Sequence, residues 1–338
     1  LQPASVNSAA VGKLKYWMVD FFIKMLITQK LIYKIYRRKA RCAIILDWRK
    51  CPYYNTIHQQ ITHTNLYIWL LYFIYQLTMT ITNDRNFDTI SEHFAKKVYG
   101  GLKGRIRLAV LQQDLSEAMD QLMLNRPLRI LDVGAGLAQI SLSLASDHHV
   151  TVNDISTNML DMAKDHAKSL GVYDQVRFIT CPYQALSNHL AGEQFDIILC
   201  HALLEWLGEP EKIMTFFDQY LADGGMLSLC FYNPASKIYR NLIMGNFYQL
   251  NTPRPADDKS LTPNHPVAPD TVEAWLIAHY YKISIRSGIR VFSDYAPLKR
   301  GGLNNPDDVV AMELEYSRQL PFRAMGRYLH IIAFKNPA

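Results

Sequence analysis

Ile130 to Ala145 reads ILDVGAGLAQISLSLA, an apolar run that halts at two glycines and resumes with apolar residues at helical spacing. With no side chains at Gly134 and Gly136, the main chain lies bare where a strand turns into a helix. Such a loop serves either a tight turn or a ligand laid against the backbone. The spacing that suits a dinucleotide asks for a third small residue three positions after the second glycine, so that helix and strand pack closely. Here that position is Gln139.

Outward from this loop, strands and helices alternate. Predicted strands cover Arg129 to Val133, Val150 to Asn153, Val176 to Cys181, Phe195 to Cys200 and Met226 to Tyr232. Predicted helices begin at Ala138 and cover Asn158 to Leu170 and Pro210 to Leu221. Alternation of this kind builds an open, doubly wound, mostly parallel α/β sheet. Upstream, Phe87, Ile90, Phe94 and Val98 fall on one helical face, and a second helical pattern runs from about Arg105 to Met123. Downstream, a polar, proline-rich excursion from about Asn233 to Pro269 is too long for a simple connection and reads as a lid or substrate element. A last helix and an antiparallel-like strand pair follow, near Ile283 to Phe292 and Tyr328 to Phe334.

With 49% hydrophobic and 20% charged residues over 338 positions, the composition is that of a folded globular chain and gives no sign of disorder. Five cysteines, Cys42, Cys51, Cys181, Cys200 and Cys230, lack paired metal spacing, so no metal is expected and the thiols read as reduced, in a cytoplasmic protein. The formal charge of +6 misleads, because residues 1–80 hold 11 Lys or Arg against 2 acids. The remainder is slightly acidic, so a nucleic-acid partner would have to be met by a local basic patch.

Residues 1–80 form an atypical extension with no sustained period of two or 3.6. Its apolar stretch Leu66 to Leu77 is shorter than the roughly 20 residues a spanning helix needs, and no signal-peptide cleavage site follows it. It reads as translated upstream sequence with Met79 as the start, the alternatives being a weak membrane-associated segment or a small separate module. Residues 81–338 form the catalytic domain, with a substrate-binding insertion at about 233–269.

Open sheets of this type bind ligands beyond the carboxyl ends of their strands. The first strand ends with Asp132 and the loop Gly134-Ala135-Gly136; the second ends at Asp154, whose carboxylate can accept both ribose hydroxyls. Tyr183 and Gln184 follow the third, placed to flank an adenine, and His201 ends the fourth. Each has an ordinary reading too: Asp154 as a helix cap, His201 as a hydrogen-bonded core histidine, Gln184 as a solvated side chain. Taken together they favour an adenosyl cofactor, and Gln139 with the late antiparallel pair favours S-adenosylmethionine over a dinucleotide.

From about Asn83 to Pro337 the sequence resembles the bacterial tRNA 5-carboxymethoxyuridine methyltransferases. The stretches that carry the likeness are DRNFDTISEHFAKKVYGGLKGRIRLAVLQQDL, HALLEWL, LSLCFYN, MGNF, GIRVFSDY and GRYLH. The resemblance implies a Rossmann-like class I methyltransferase fold, S-adenosylmethionine as cofactor, and methyl transfer to the carboxylate of 5-carboxymethoxyuridine at the tRNA wobble position, giving the methyl ester. It also implies cofactor contacts at Arg107, Gly134, Ala135, Asp154, Tyr183, Gln184 and His201. The likeness departs at Leu137-Ala138, where a more polar, glycine-containing stretch is expected. The rival functions are methylation of a small carboxylic acid and non-catalytic cofactor binding by a partner protein.

A carboxylate acceptor is already ionised near neutral pH, so methylating it requires alignment and desolvation, with no general base. No catalytic dyad is expected. A cation should orient the carboxylate, and Arg290 and Arg327 are the choices, with Arg290 placed first as a residue at a strand end. Tyr232, Phe292 and Tyr328 are candidates to stack on uracil. Lys237, Arg240, Arg254 and Lys259, with Tyr239 and Tyr248 among them, make the excursion the expected contact for the phosphates of an anticodon stem-loop.

Overall fold

The computed structural model describes residues 84–88, 100–251, 263, 265–296 and 300–337. The extension 1–80, and Ile90, Phe94 and Val98 of the expected first helix, lie outside the described residues.

Among the described residues seven strands form one sheet: β1 (Arg129–Val133), β2 (His149–Asp154), β3 (Val176–Thr180), β4 (Phe195–His201), β5 (Leu221–Tyr232), β6 (Tyr281–Ile289) and β7 (Tyr328–Lys335). Their spatial order is β3-β2-β1-β4-β5-β7-β6. The pairs from β3 to β5 are parallel, and β7 runs antiparallel to both β5 and β6. The order reverses between β1 and β4, which opens a crevice at the carboxyl ends of those two strands.

Both faces of the sheet are covered, and the strand letters show why. On β1, Ile130 packs into one layer with Val110 and Leu111 of α1 (Gly101–Met119) and with Leu160 and Ala163 of α3 (Thr157–Leu170), which follows the short α2 (Gln139–Ser143). Its neighbours Leu131 and Val133 pack into the other layer, against Ile213 and Phe217 of α4 (Ile213–Tyr220). Alternation on a doubly covered strand leaves little room for a polar residue, so β1 reads as nearly continuous apolar sequence.

Helix ends follow local chemistry. Ser156 caps α3 by accepting from the Met159 N–H, and Gly171, at φ 73°, closes it. The excursion holds a helix of its own, α5 (Pro234–Ile243), capped by Asn233, and a single turn at Tyr248–Asn251. Two helices flank β6: α6 (Pro269–Ala278) before it and α7 (Pro306–Tyr316) after it. The sequence reading expected one helix in this region. The second is announced by Asn305-Pro306-Asp307-Asp308, where Asn305 caps, proline sits at the first position and two acids face the helix N-terminus. Strand β6 also ends earlier than expected, at Ile289, because Arg290 turns into the left-handed region at φ 60°. Among the described residues no helix is long and apolar enough to cross a membrane.

The amino-terminal edge of β1 is tied to β4 by charge. Arg126 reaches Asp196 with two hydrogen bonds of 2.8 Å, and the Arg129 N–H donates a third, also 2.8 Å. Burial pushes the Asp196 carboxyl upward, but these donors outweigh it and pull the pKa down to about 2. A carboxylate depressed in the fold stabilises it above its unfolded pKa and loses that contribution as pH falls toward the folded value. Asp196→Asn is therefore expected to cost about 1 to 2 kcal/mol near pH 7 and progressively less from about pH 4 toward pH 2, as read from urea unfolding midpoints. A cost independent of pH across that range would mean that packing, not charge, is what Asp196 supplies.

Candidate functional site

The glycine loop is braced from β2. Asp154 accepts the Gly136 N–H on Oδ2 and the Ser156 N–H on Oδ1, both at 2.8 Å. Each oxygen keeps a second lone pair, so the same carboxylate can brace the loop and accept two ligand hydroxyls. Ser156 is the helix cap, which separates Asp154 from that ordinary role. Burial pushes the Asp154 pKa up, with Asp88 adding to the rise, against the backbone N–H groups of Ser156, Gly136 and Ile155 that lower it. In the loop, Gly134 and Gly136 take φ values of 65° and 56°, and Ala138 follows at 53°. A Cβ at Gly134 would lie 2.7 Å from the Leu203 side chain. The departure at Leu137-Ala138 therefore puts an alanine where glycine adopts the backbone more cheaply.

The loop and Asp154 line an open cleft of about 680 Å3, counting the part continuous with solvent. Tyr183, buried and edge-on to Phe216, forms part of its wall with His201. Gln184 is exposed and turns to the rim, where its amide donates to Asp84 Oδ2 at 2.8 Å.

Several wall residues escaped the sequence reading. Asp84 to Asp88 is an irregular strap along the cleft, and Phe87, expected on a helix, meets the Trp206 ring edge-to-face at 5.0 Å. The guanidinium of Arg85 lies 5.1 Å from both those rings. Asp84 accepts the Gly208 N–H, and Asp88 accepts the Ser156 hydroxyl and the Asn158 N–H. A strap held by long-range polar contacts leaves no local periodicity to detect. Ile155 and Met159 also line the cleft, and their apolar type beside an acidic strand end was the signal available.

Beneath the loop, Asp132 accepts from the Ser141 hydroxyl at 2.6 Å through Oδ2, while Oδ1 is buried without a partner among the described residues. Burial raises its pKa to about 7, with Asp154 adding to the rise. Two buried carboxyls with raised pKa values and spare acceptor capacity suit a ligand that brings hydroxyls and positive charge.

On the far side of His201 the charge inverts. Arg107 is buried in α1, its guanidinium 4.2 Å from the Tyr328 ring centroid, and its field helps burial hold His201 well below the usual histidine range. Glu205 is 1% exposed, with neither carboxyl oxygen in a well-formed hydrogen bond among the described residues; burial raises its pKa to about 7, against the pull of Arg107. Tyr328 and Tyr232, opposite each other on β7 and β5, stack edge-to-face at 5.7 Å. Arg290 lies 5.4 Å from the Tyr328 ring and Arg327 lies 5.1 Å from the Tyr232 ring. Arg290 is paired with Asp294 at 3.2 Å. Arg327 has no carboxylate partner among the described residues. Three guanidiniums thus gather around two phenol rings. This cluster adjoins a second cavity of about 630 Å3, open to solvent, which shares Tyr232 and is lined by Lys237 and Gln249. Phe292, the third aromatic expected at the substrate, instead packs partly buried against the core layer that holds α1.

A family model for a methyltransferase domain matches residues 131–229. The chain is 37% identical over 254 residues to the tRNA 5-carboxymethoxyuridine methyltransferase of Escherichia coli (strain K12), covering 75% of this chain and 97% of that protein. The same figures hold for the protein of that name from Escherichia coli O157:H7. Among solved structures, the magnesium protoporphyrin IX methyltransferase of Synechocystis PCC 6803 with bound SAH superposes with a TM-score of 0.49 at 14% identity, covering 74% of this chain and 96% of that one.

Asp154→Ala is expected to weaken binding of an adenosyl ligand in the cleft by about 1.5 to 3 kcal/mol in titration calorimetry, the scale of lost charge-assisted hydrogen bonds. Unchanged affinity would reduce Asp154 to a brace of the glycine loop.

Proposed function

The chain belongs to the tRNA 5-carboxymethoxyuridine methyltransferases, and on that premise we propose that it transfers a methyl group from S-adenosylmethionine to the carboxylate of 5-carboxymethoxyuridine at the tRNA wobble position. The observation that carries this reading is Arg327, a cation beside Tyr232 with no carboxylate of its own among the described residues. A substrate carboxylate supplies the missing charge.

The cofactor residues fit the group they would hold. Asp154 would take the ribose hydroxyls, Gly134 and Ala135 would carry the methionine portion, Tyr183 would border the adenine with Gln184 held at the rim by Asp84, and Arg107 would meet the methionine carboxylate. When bound, S-adenosylmethionine supplies a methyl group on a positively charged sulfur. The chemistry it would supply is transfer of that methyl group to the carboxylate oxygen, with S-adenosylhomocysteine left as the second product. No proton moves, so the protein needs no base. Its work is to strip water from the carboxylate and hold it at about 3 Å from the methyl carbon, a positioning effect of several kcal/mol.

Arg327 is the residue to orient that carboxylate. Arg290, first in the sequence reading, is already matched by Asp294, and its role is to enlarge the positive field. Burial and the neighbouring arginines push the Arg290 pKa down, opposed first by Asp294, which is the electrostatic mark of a site short of anions. Tyr232 and the cavity beside it offer a seat for the uracil ring, and Lys237 and Arg240 of α5, with the exposed rings of Tyr239 and Tyr248, suit the phosphates and bases of an anticodon stem-loop. Arg254 and Lys259 lie outside the described residues. A bacterial tRNA substrate is met in the cytoplasm, where the reading assigns the enzyme. Residues 1–80 take no part in this assignment.

Arg327→Met is expected to lower kcat for a 5-carboxymethoxyuridine anticodon stem-loop by about tenfold to a hundredfold while changing RNA affinity less than about threefold, since most of that affinity is sequence-independent attraction to phosphates. Single-turnover rates and filter binding on the same variant separate the two. Parallel loss of turnover and affinity would reassign Arg327 to the RNA backbone.

A further inference from the structure

Arg327 follows a turn, Ala324 to Gly326, whose three carbonyl groups are all taken by side chains from elsewhere in the fold. Asn233, 1% exposed at the junction of β5 and α5, donates from Nδ2 to Ala324 O and to Gly326 O, each at 2.9 Å. Between them, Met325 O accepts the Tyr295 hydroxyl. The main chain of Asn233 continues the β5 to β7 ladder by one step, its N–H donating to Arg327 O at 3.1 Å. On its other side Arg327 donates its own N–H to Ile289 O at 2.8 Å. Gly326 completes the fit: a Cβ there would lie 2.7 Å from Gly288 Cα, so the turn rests backbone to backbone on β6.

The polarity of the partners decides which way the Asn233 amide faces. Its Oδ1 accepts the Ala235 N–H at 3.1 Å, the bond that caps α5. All three side-chain partners are main-chain groups, whose donor or acceptor character is fixed. With the amide reversed, its oxygen would face two carbonyl oxygens and its NH2 would face an N–H, so only the observed orientation bonds. One buried side chain thus spends both of its hydrogens on the turn before Arg327 and its oxygen on the helix. A second tie runs beside it: the Tyr295 ring meets Tyr239 of α5 edge-to-face at 5.1 Å while its hydroxyl holds Met325. The Arg327 guanidinium itself lies 5.1 Å from the ring of Tyr232, the residue before Asn233.

We propose that Asn233 is a positioning residue, which fixes the turn before Arg327 against the amino end of α5 and so sets where the substrate carboxylate is held relative to the bound RNA. This rests on the reading of Arg327 above and deepens it. An arginine side chain is long and rotatable, and it orients a carboxylate only if its own main chain is held. On the same reading α5 meets the anticodon stem-loop through Lys237 and Arg240. A shift between helix and turn would then misplace the carboxylate even with RNA fully bound. Positioning of this kind shows in turnover, not in affinity.

A double-mutant cycle on the full chain tests it. Asn233→Ser keeps an oxygen that caps α5 but has one hydrogen where asparagine has two, so it cannot hold both carbonyls. With a 5-carboxymethoxyuridine anticodon stem-loop it is expected to lower kcat by about tenfold, and to change affinity for the RNA and for S-adenosylhomocysteine by less than about threefold. Added to Arg327→Met it should lower kcat by less than about twofold further, because the residue it positions is gone. Tyr295→Phe, which deletes only the hydroxyl bond to Met325, is expected to follow the same pattern on a smaller scale, and it carries the test alone if Asn233→Ser does not fold. Losses that multiply in the double variants, or equal losses of turnover and both affinities, make these residues structural supports and overturn the proposal. Unchanged kcat in Asn233→Ser does the same. If Arg327→Met by itself leaves kcat unchanged, the reading of Arg327 fails, and the proposal falls with it.

Discussion

Parallel pairing from β3 to β5 is the constraint on which the rest depends. Because those strands run the same way, their carboxyl ends lie along one edge of the sheet, and the reversal of order between β1 and β4 parts the helices above them. Asp132, Asp154 and His201 come from three strands in separate parts of the sequence, yet ladder hydrogen bonds bring them to one edge of the sheet, where Asp154 and His201 line the cleft. The carboxylate of Asp154 then stiffens the least protected part of that edge, the glycine loop, by holding Gly136 and Ser156 together.

The antiparallel strand β7 adds a different neighbourhood at the other end of the cleft. It sets Tyr328 opposite Tyr232 and carries Arg327 just before it, so that cations gather where the parallel part of the sheet offers acids. The site is thereby split into an acidic half beneath the glycine loop and a basic half around two phenol rings. A positively charged methyl donor and a negatively charged acceptor would be drawn to opposite halves. In a site shielded from water such a field is stronger than on the surface, and it is present before either reactant arrives.

Much of this was legible in the sequence because it rests on local patterns. Apolar strands, the Gly-x-Gly turn and the acid at the end of β2 announce themselves within a few residues, and the five parallel strands lie where the pattern put them. What was hidden depends on contacts between distant segments. Phe87 shares helical spacing with Ile90 and Phe94, but it lies in an irregular strap whose course is set by Trp206, Ser156 and Asn158. Gln184 has the chemistry of an adenine contact, yet Asp84, 100 residues earlier, takes its amide. The ranking of Arg290 over Arg327 turned on Asp294, whose pairing follows from the left-handed turn at Arg290. Ser228 and His330 stood out only as polar letters inside apolar strands, a signal that marks a buried network without saying what it joins.

The central claim is that the acceptor is a carboxylate held by this basic half. The most direct test incubates the protein and labelled S-adenosylmethionine with two anticodon stem-loops that differ only in whether the wobble uridine carries the 5-carboxymethoxy group. Both should bind, through their phosphates, and only the modified one should gain a methyl group, as an ester that mild base removes. Methylation of the unmodified uridine at a comparable rate, or a product stable to base, would contradict the account.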